Sequence, residues 1–183
     1  PNTYFETSLG LIGRKDHFFY RIAGNRSSES IRKKSRQLVK SFSELPAPES
    51  TVAFGYKLLQ ELNIKPAEIR HQAVNVFQYD FAKDFWFGKP DAKQQTEVFV
   101  HRAETKKSAL QLFSRILEEH KYEYQITRRT ENLALLQHNF LKSYFTIAIQ
   151  DSFVFGADKT PNQETSFHLL EMIGRAIPNE KQR

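Results

Sequence analysis

The spacing of apolar residues changes several times along this chain of 183 residues, and this constrains its fold more than any other feature. Alternation of apolar and polar residues indicates strands, whereas apolar residues three or four positions apart indicate amphipathic helices. The two patterns follow one another in a mixed order. We therefore expect an α+β fold, with a mixed or antiparallel sheet and helices packed on it.

The amino-terminal segment predicts a β-hairpin. Apolar and polar residues alternate over residues 4–11 and again over 18–22. The residues between these runs, 13–16, have the sequence Gly-Arg-Lys-Asp, which is typical of a tight polar turn. We therefore expect two antiparallel strands that are joined close to Arg14 and Lys15.

A basic amphipathic helix is expected after the hairpin. Ser27 or Ser28 can cap its start, and the helical pattern runs to about Phe42. Four apolar residues fall on one side and form the expected buried stripe: Ile31, Leu38, Phe42 and Leu45. We expect this side to dock the helix and to leave the opposite side exposed.

The remaining segments predict further helices and strands. The expected helices cover 52–62, a short helix that begins at Pro66, 106–120, 130–141 and a last helix that begins at Thr160-Pro161. The expected strands cover 74–81, 97–101, 122–127 and 145–149, with an aromatic loop or strand end at 85–90. Because no boundary is evident, we expect a single globular α+β domain, 1–183.

Positive charge is concentrated at the amino-terminal end of the chain. Up to Ser43 there are nine Lys and Arg residues against three acidic residues, a net charge of +6. From Glu44 to Arg183 there are 18 basic and 18 acidic residues, and the net charge is zero. Charge that is segregated in this way creates a local electric field that attracts polyanions.

The predicted basic helix concentrates part of this charge on one side. Arg32, Arg36 and Lys40 lie close together on a helical projection, with Lys33 beside them. Like charges four residues apart destabilise a helix by about 0.2–0.5 kcal/mol per pair. The repulsion can be relieved by solvent, by an acidic patch elsewhere in the fold, or by an external phosphate backbone.

These observations predict a protein that binds nucleic acid through phosphate contacts and performs no chemistry of its own. The residues of the predicted interface share a positive charge and an amino-terminal position: Arg14, Lys15, Arg26, Arg32, Lys33, Arg36 and Lys40. About five phosphate contacts give a log–log salt slope near −4 or −5 on duplex DNA. The sequence leaves DNA and RNA, and single and double strands, equally open.

The loop at 24–28, which precedes the basic helix, has two interpretations. Backbone amides at a helix start, with hydroxyl groups and Arg26 at hand, can cradle a phosphate. Equally, the loop can be a capped turn in which Gly24 supplies backbone freedom. It lacks the pattern of a nucleotide P-loop, so hydrolysis of ATP or GTP is not indicated.

Aromatic residues beside cations are candidates for stacking on nucleic-acid bases. Three places combine the two residue types: Phe19 with Arg21, Trp86 and Phe87 with Lys89, and Tyr122 and Tyr124 with Arg128 and Arg129. Trp86 is the strongest candidate because its polar flanks keep it near the surface. With sixteen Phe and seven Tyr, most of the rings are expected in the core.

A metal-dependent nuclease is the first alternative. Pro90-Asp91 is separated by twelve residues from Glu104-Thr105-Lys106, a spacing that resembles the nuclease family with a Pro-Asp…Glu-x-Lys signature. That resemblance implies that Asp91 and Glu104 hold Mg²⁺ and that Lys106 lies near the attacked phosphate. In that family the Glu ends an apolar strand, whereas here His-Arg-Ala precedes it.

Two further alternatives remain open. Arg115 and His120, separated by four residues, resemble the Arg…His pair of helical ribonucleases, although those proteins are all-helical. A structural or protein-interaction oligomer with an acidic protein partner is the other alternative. Homo-oligomers are also expected under the nucleic-acid interpretation, because so many aromatic residues leave some rings exposed for an interface and a dimer doubles the basic surface.

Composition excludes several kinds of site. Without cysteine the chain has no disulfide and no Cys-ligated zinc or iron–sulfur site. The six His include no i,i+4 pair, so neither a zinc site nor another cofactor is predicted. No uncharged stretch approaches the length of a membrane helix, and the first residues show no signal pattern. We expect a soluble, cytoplasmic protein of bacterial type whose initiator Met was removed before Pro1.

Overall fold

The computed structural model describes residues 2–15, 18–24, 27–44 and 53–178. The chain divides into two compact units, Pro1–Thr51 and Val52–Arg183. The expected α+β fold is confirmed, since an antiparallel sheet and at least one helix packed on it are present in each unit. The expectation that 1–183 is a single domain stays a prediction. In the described parts of the chain, no helix has the length and apolar character needed to span a membrane.

The amino-terminal unit is a three-stranded antiparallel meander followed by one helix. Its elements are β1 (Asn2–Thr7), β2 (Gly10–Lys15), β3 (Phe18–Ala23) and α1 (Glu29–Glu44), and the strand order is β1-β2-β3. The predicted hairpin is present as β2 and β3. The expected first strand over 4–11 is wrong in its extent, because the chain turns at Ser8-Leu9 and β1 becomes a separate strand.

Helix α1 begins as expected but buries a different side. Ser28 caps it, since its Oγ accepts a hydrogen bond from the Ile31 amide at 3.3 Å. The buried residues are Ser35 and Val39; of the predicted stripe, Ile31 and Phe42 are half-buried, Leu38 is 48% exposed, and Leu45 lies outside the described residues. The fully buried positions therefore lie about 70° from the centre of the predicted stripe, at 100° per residue.

The carboxy-terminal unit is built on one seven-stranded antiparallel sheet. Its strands are β4 (Ile69–Gln72), β5 (Phe85–Gly88), β6 (Glu97–Arg102), β7 (Tyr124–Arg129), β8 (Leu133–His138), β9 (Tyr144–Gln150) and β10 (Phe153–Thr160). They lie in the order β4-β5-β6-β10-β9-β8-β7. Its helices are α2 (Phe54–Glu61), α3 (Lys106–His120) and α4 (Gln163–Ala176), and 3-10 turns occupy Pro66–Glu68 and Val76–Gln78.

Two apolar clusters, one on each face of this sheet, hold the unit together. Phe113 and Ile116 of α3 pack with Phe99, Phe145 and Ile147 on one face. On the other face, side chains of α2 and α4 pack against neighbouring strand positions: Leu58, Leu59, Leu169, Leu170 and Ile173 against Val98, Val100, Phe153 and Phe155. Strand residues alternate between the two clusters, so the central strands are apolar on both sides.

Two expectations for this unit are wrong, and strand β10 was not predicted. The segment 130–141 is not a helix, because β8 pairs with β7 and β9 and this ladder outweighs local helix propensity. The segment 74–81 is not a strand: Asn75, Phe77 and Gln78 have positive φ and close a turn. The central strand β10 was missed because half of it is polar or glycine.

Candidate nucleic-acid interface

The predicted cationic side of α1 is exposed, and the structure places four of its residues there. Arg32, Lys33, Arg36 and Lys40 are all solvent-exposed on the helix. Of the other predicted residues, Arg26 and the side chain of Lys15 lie outside what the structure describes. The loop interpretation for 24–28 depends on the same undescribed residues and stays a prediction.

Arg36 is neutralised from within its own unit. Its Nε and Nη2 donate to the two carboxylate oxygens of Glu6 at 2.7 and 3.0 Å, a bidentate pair. Hydrogen bonding to Arg36 lowers the pKa of Glu6, and the same contact raises the pKa of Arg36. Both groups therefore stay charged at neutral pH, and Arg36 is occupied.

Among the residues that the structure describes, the other three cations of this side have no carboxylate partner at hydrogen-bond distance. Arg32 donates from Nη2 to Ser27 Oγ at 3.3 Å, a neutral contact, and its charge acts on the Glu6 carboxylate only through space. Within the described part of the chain, no carboxylate lies within 4.0 Å of Arg32, Lys33 or Lys40. We call these three residues the α1 cation patch.

Arg14 lies on the face of the sheet opposite α1, away from the cationic side of the helix. Glu6 and its register partner Leu11 face α1, since Glu6 contacts Arg36 and Leu11 is buried. Side chains alternate along a strand, so Arg14, three positions after Leu11, points the opposite way. The charge of the unit is thus divided between two surfaces.

That opposite face also carries exposed aromatic residues. Register pairs Phe5 with Ile12 and Ile12 with Arg21, and Arg14 with Phe19. Phe5 and Phe19 are 78% and 79% exposed. Phe19 was one of the stacking candidates. Phe5 was not among the predicted stacking residues, because only the turn at Ser8-Leu9 brings it to this face. In the sequence, only the polar residues beside Phe5 indicated that its ring could be exposed.

The other stacking candidates lie in the carboxy-terminal unit, where Trp86, Phe87 and Tyr124 are packed and Tyr122 is 75% exposed. Trp86 is half-buried, with its ring centroid 4.7 Å from that of His71 and 6.2 Å from that of Tyr56. Phe87 is buried, and the guanidinium of Arg70 lies 4.0 Å from its ring centroid. These rings therefore stabilise the unit.

A shallow groove of about 650 Å³ lies where α3 meets β7. Leu110, Leu117 and Ile126 supply its apolar lining, and Arg115 and Arg129 are among its basic residues. Arg129 belongs to the predicted Arg128-Arg129 pair. Arg128 instead lies over the ring of Phe167, 5.3 Å from its centroid.

The residues of the nuclease alternative do not converge. In the antiparallel β5–β6 pair, the end of β5 lies beside the start of β6. Asp91 follows β5 and Glu104 follows β6, so the two carboxylates stand at opposite ends of the strand pair. Asp91 also accepts hydrogen bonds from the Lys93 amide and the Gln94 side chain. In the described residues, no group of three or more His, Cys, Asp or Glu could hold a metal ion.

The ribonuclease pair does not converge either. His120 is buried, and its Nδ1 lies 3.1 Å from both the Ile116 carbonyl oxygen and the Tyr79 hydroxyl. Burial lowers the pKa of His120 to about 4. Arg115 points elsewhere, with its guanidinium 3.9 Å from the ring centroid of Phe81. Both side chains are therefore structural.

Comparison with protein-family models, with curated proteins and with solved structures produced no match to this chain. The chemistry of the interface is therefore inferred from its own residues. On that basis the α1 cation patch is the surface best suited to an anionic ligand.

Proposed function

We propose that the protein binds nucleic acid through the α1 cation patch and performs no chemistry on it. The observation that carries this proposal is the position of Arg32, Lys33 and Lys40 on one exposed side of a helix, with no carboxylate of the described residues within 4.0 Å of them. The described ion pair of this unit joins Glu6 and Arg36, and the three cations of the patch are exposed to solvent.

The dimensions of the patch suit a phosphate backbone. Arg32 and Lys40 are eight residues apart, about 12 Å along the helix axis. One strand of a duplex places a phosphate about every 3.4 Å of axis, so the patch spans three or four phosphates. With Arg36 occupied, three contacts replace the five expected from sequence, and the log–log salt slope becomes about −3.

Two further features belong to the same proposal. Homo-oligomers would double the cationic surface, and a cytoplasmic location would give access to both DNA and RNA. The contacts are to phosphates, so they carry no preference for sequence and none for DNA over RNA.

The proposal is tested by reversing charge on the patch. We expect Lys33→Glu with Lys40→Glu to weaken binding and to flatten the salt slope by about 2, since each lost phosphate contact removes about 0.9. The measurement is fluorescence anisotropy with labelled duplex DNA, single-stranded DNA and RNA at several salt concentrations. Lys57→Glu with Lys107→Glu, which makes the same charge change on exposed helical positions of the other unit, is the matched control.

Two outcomes would contradict the proposal. If both double variants lose affinity equally, binding follows net charge and the patch is not the site. If the patch variant keeps its affinity and slope, the nucleic acid binds elsewhere or not at all. Each titration is repeated with Mg²⁺, and the labelled strands should remain intact.

A further inference from the structure

The two units share a four-element arrangement. In the amino-terminal unit, β1, β2 and β3 lie side by side in chain order and α1 packs on β2 and β3. In the carboxy-terminal unit, β8, β9 and β10 lie side by side in the same way and α4 packs on β9 and β10. The first unit therefore has the architecture of the last third of the second.

In the carboxy-terminal unit this arrangement is completed by a strand and a helix that are consecutive in the chain. Strand β6 pairs with the outer edge of β10, and α3 follows β6 directly. Helix α3 covers the sheet face opposite α4, where Phe145, Ile147 and Val154 are fully buried with Phe113 and Ile116 of the helix.

The amino-terminal unit has no counterpart of β6 or α3 among the described residues. Strand β3, which corresponds to β10, is an edge strand and pairs with β2 alone within the described sheet. The face that corresponds to the one under α3 exposes Phe5, Ile12 and Phe19. An open strand edge beside an exposed apolar face is typical of a site for an added strand or helix.

We propose that this face, the Phe5–Ile12–Phe19 surface, binds a polypeptide segment made of a β-strand followed by an amphipathic helix. The strand extends the sheet at β3, and the apolar side of the helix covers the three residues. We infer a polypeptide occupant because, in the carboxy-terminal unit, a strand (β6) and a helix (α3) cover the corresponding edge and face of the same three-strand arrangement.

The charge of the surface specifies the polar side of that segment. Arg21 lies beside Ile12 on this face and is exposed. No acidic residue of β1, β2 or β3 shares the face, since Glu6 points towards α1. The partner helix is therefore expected to flank its apolar stripe with Asp or Glu. The α1 cation patch lies on the other side of the sheet, so this proposal is independent of nucleic-acid binding.

The test uses a peptide built on the segment that performs this role in the same chain. The peptide contains residues 97–120 with Lys106→Glu and Lys107→Glu, which give it a net negative charge, and a scrambled peptide has the same composition. Fluorescence anisotropy with the full chain should show saturable binding of the first peptide alone. Phe19→Ser should weaken it at least tenfold, while Phe140→Ser, which removes a phenylalanine that is 85% exposed in the other unit, should not.

A second measurement covers variants that lose their fold. If circular dichroism shows that the Phe19→Ser variant is unfolded, the variant Ile12→Ser is used in its place. Hydrogen exchange is then also measured on the unaltered chain, where the peptide should slow exchange of the β3 amides. Equal binding of both peptides, or no binding, overturns the proposal. It is also overturned if Phe19→Ser leaves peptide binding intact but abolishes self-association or binding of single-stranded DNA, because the occupant is then a second copy or a nucleic acid.

Discussion

Glu6 controls how much of the positive charge of α1 can face a ligand. It lies 30 positions before Arg36 in the chain, and β1 brings its carboxylate to both guanidinium donors. Arg32 also contributes to the lowered pKa of Glu6 through its charge. The repulsion expected between Arg32 and Arg36 is thus relieved by one carboxylate from the same unit.

Replacing Glu6 by Gln should strengthen nucleic-acid binding. The change removes one negative charge and releases Arg36 for a phosphate, so the salt slope should steepen by about 1. Glu29→Gln removes the same charge from α1 without releasing Arg36 and should leave the slope nearly unchanged. Equal slopes for the two variants in anisotropy titrations would show that Arg36 does not reach the nucleic acid.

His120 is a buried histidine whose pKa is lowered by its surroundings. Its ring packs in an aromatic cluster, with centroid distances of 4.3 Å to Phe145 and 5.1 Å to Tyr124. Burial lowers its pKa to about 4, so the folded protein keeps His120 neutral where the unfolded chain is already protonated. Protonation and folding therefore oppose each other below neutral pH.

The carboxy-terminal unit should lose stability as the pH falls from about 6.5 to 4. The folded state binds fewer protons than the unfolded state in this range, and the shift corresponds to about 3 kcal/mol. Urea unfolding at several pH values, monitored by the fluorescence of Trp86, measures this dependence. In His120→Gln the dependence should shrink. A wild-type curve parallel to that of the variant would show that His120 is not the responsible group.

At the scale of single elements, α1 shows how a sheet selects the buried side of a helix. Apolar content favours Leu38, yet the small Ser35 and Val39 are buried and Leu38 is exposed. Residues of small volume let the helix approach the sheet closely, and the rotation brings Arg36 to Glu6. Periodicity predicted the helix and its cap, but the contact with β2 and β3 determined its rotation.

Strand β10 requires a glycine at one position where it pairs with β9. A Cβ at Gly156 would lie 1.9 Å from the Thr146 carbonyl oxygen and 2.6 Å from Phe99 Cζ. Gly156→Ala should therefore destabilise the unit by about 1–3 kcal/mol in urea unfolding, because the backbone of β9 has to move.

A glycine in α4 provides the control for this prediction. A Cβ at Gly174 has its nearest neighbour at 3.6 Å, an ordinary van der Waals distance. Gly174→Ala should stabilise the helix by about 0.5–1 kcal/mol, the usual gain for Ala over Gly in a helix. If both alanine variants behave alike, close approach to Thr146 is not what requires glycine in β10.

At the scale of the whole molecule, the excess charge and the exposed aromatic face belong to the same unit. The segment up to Ser43 carries the net charge of +6, and the Phe5–Ile12–Phe19 surface lies within it. The carboxy-terminal unit buries or half-buries most of its rings, with Tyr122 and Phe140 as exposed exceptions, and some of its charged groups form pairs, such as Arg70 with Glu97. Charge and exposed aromatic surface are therefore the two grounds on which we propose binding at the amino-terminal unit.

The sequence alone determined the α+β class, the basic amphipathic helix with its serine cap, and the location of the excess charge. These properties depend on neighbours within a few positions along the chain, which periodicity and composition record. Tertiary structure alone decided which cations remain free, which face exposes Phe5 and Phe19, and that 130–141 contains a strand. Each of these depends on pairing between residues distant in sequence, such as Glu6 with Arg36 or β8 with β9, and local patterns carry no record of such pairing.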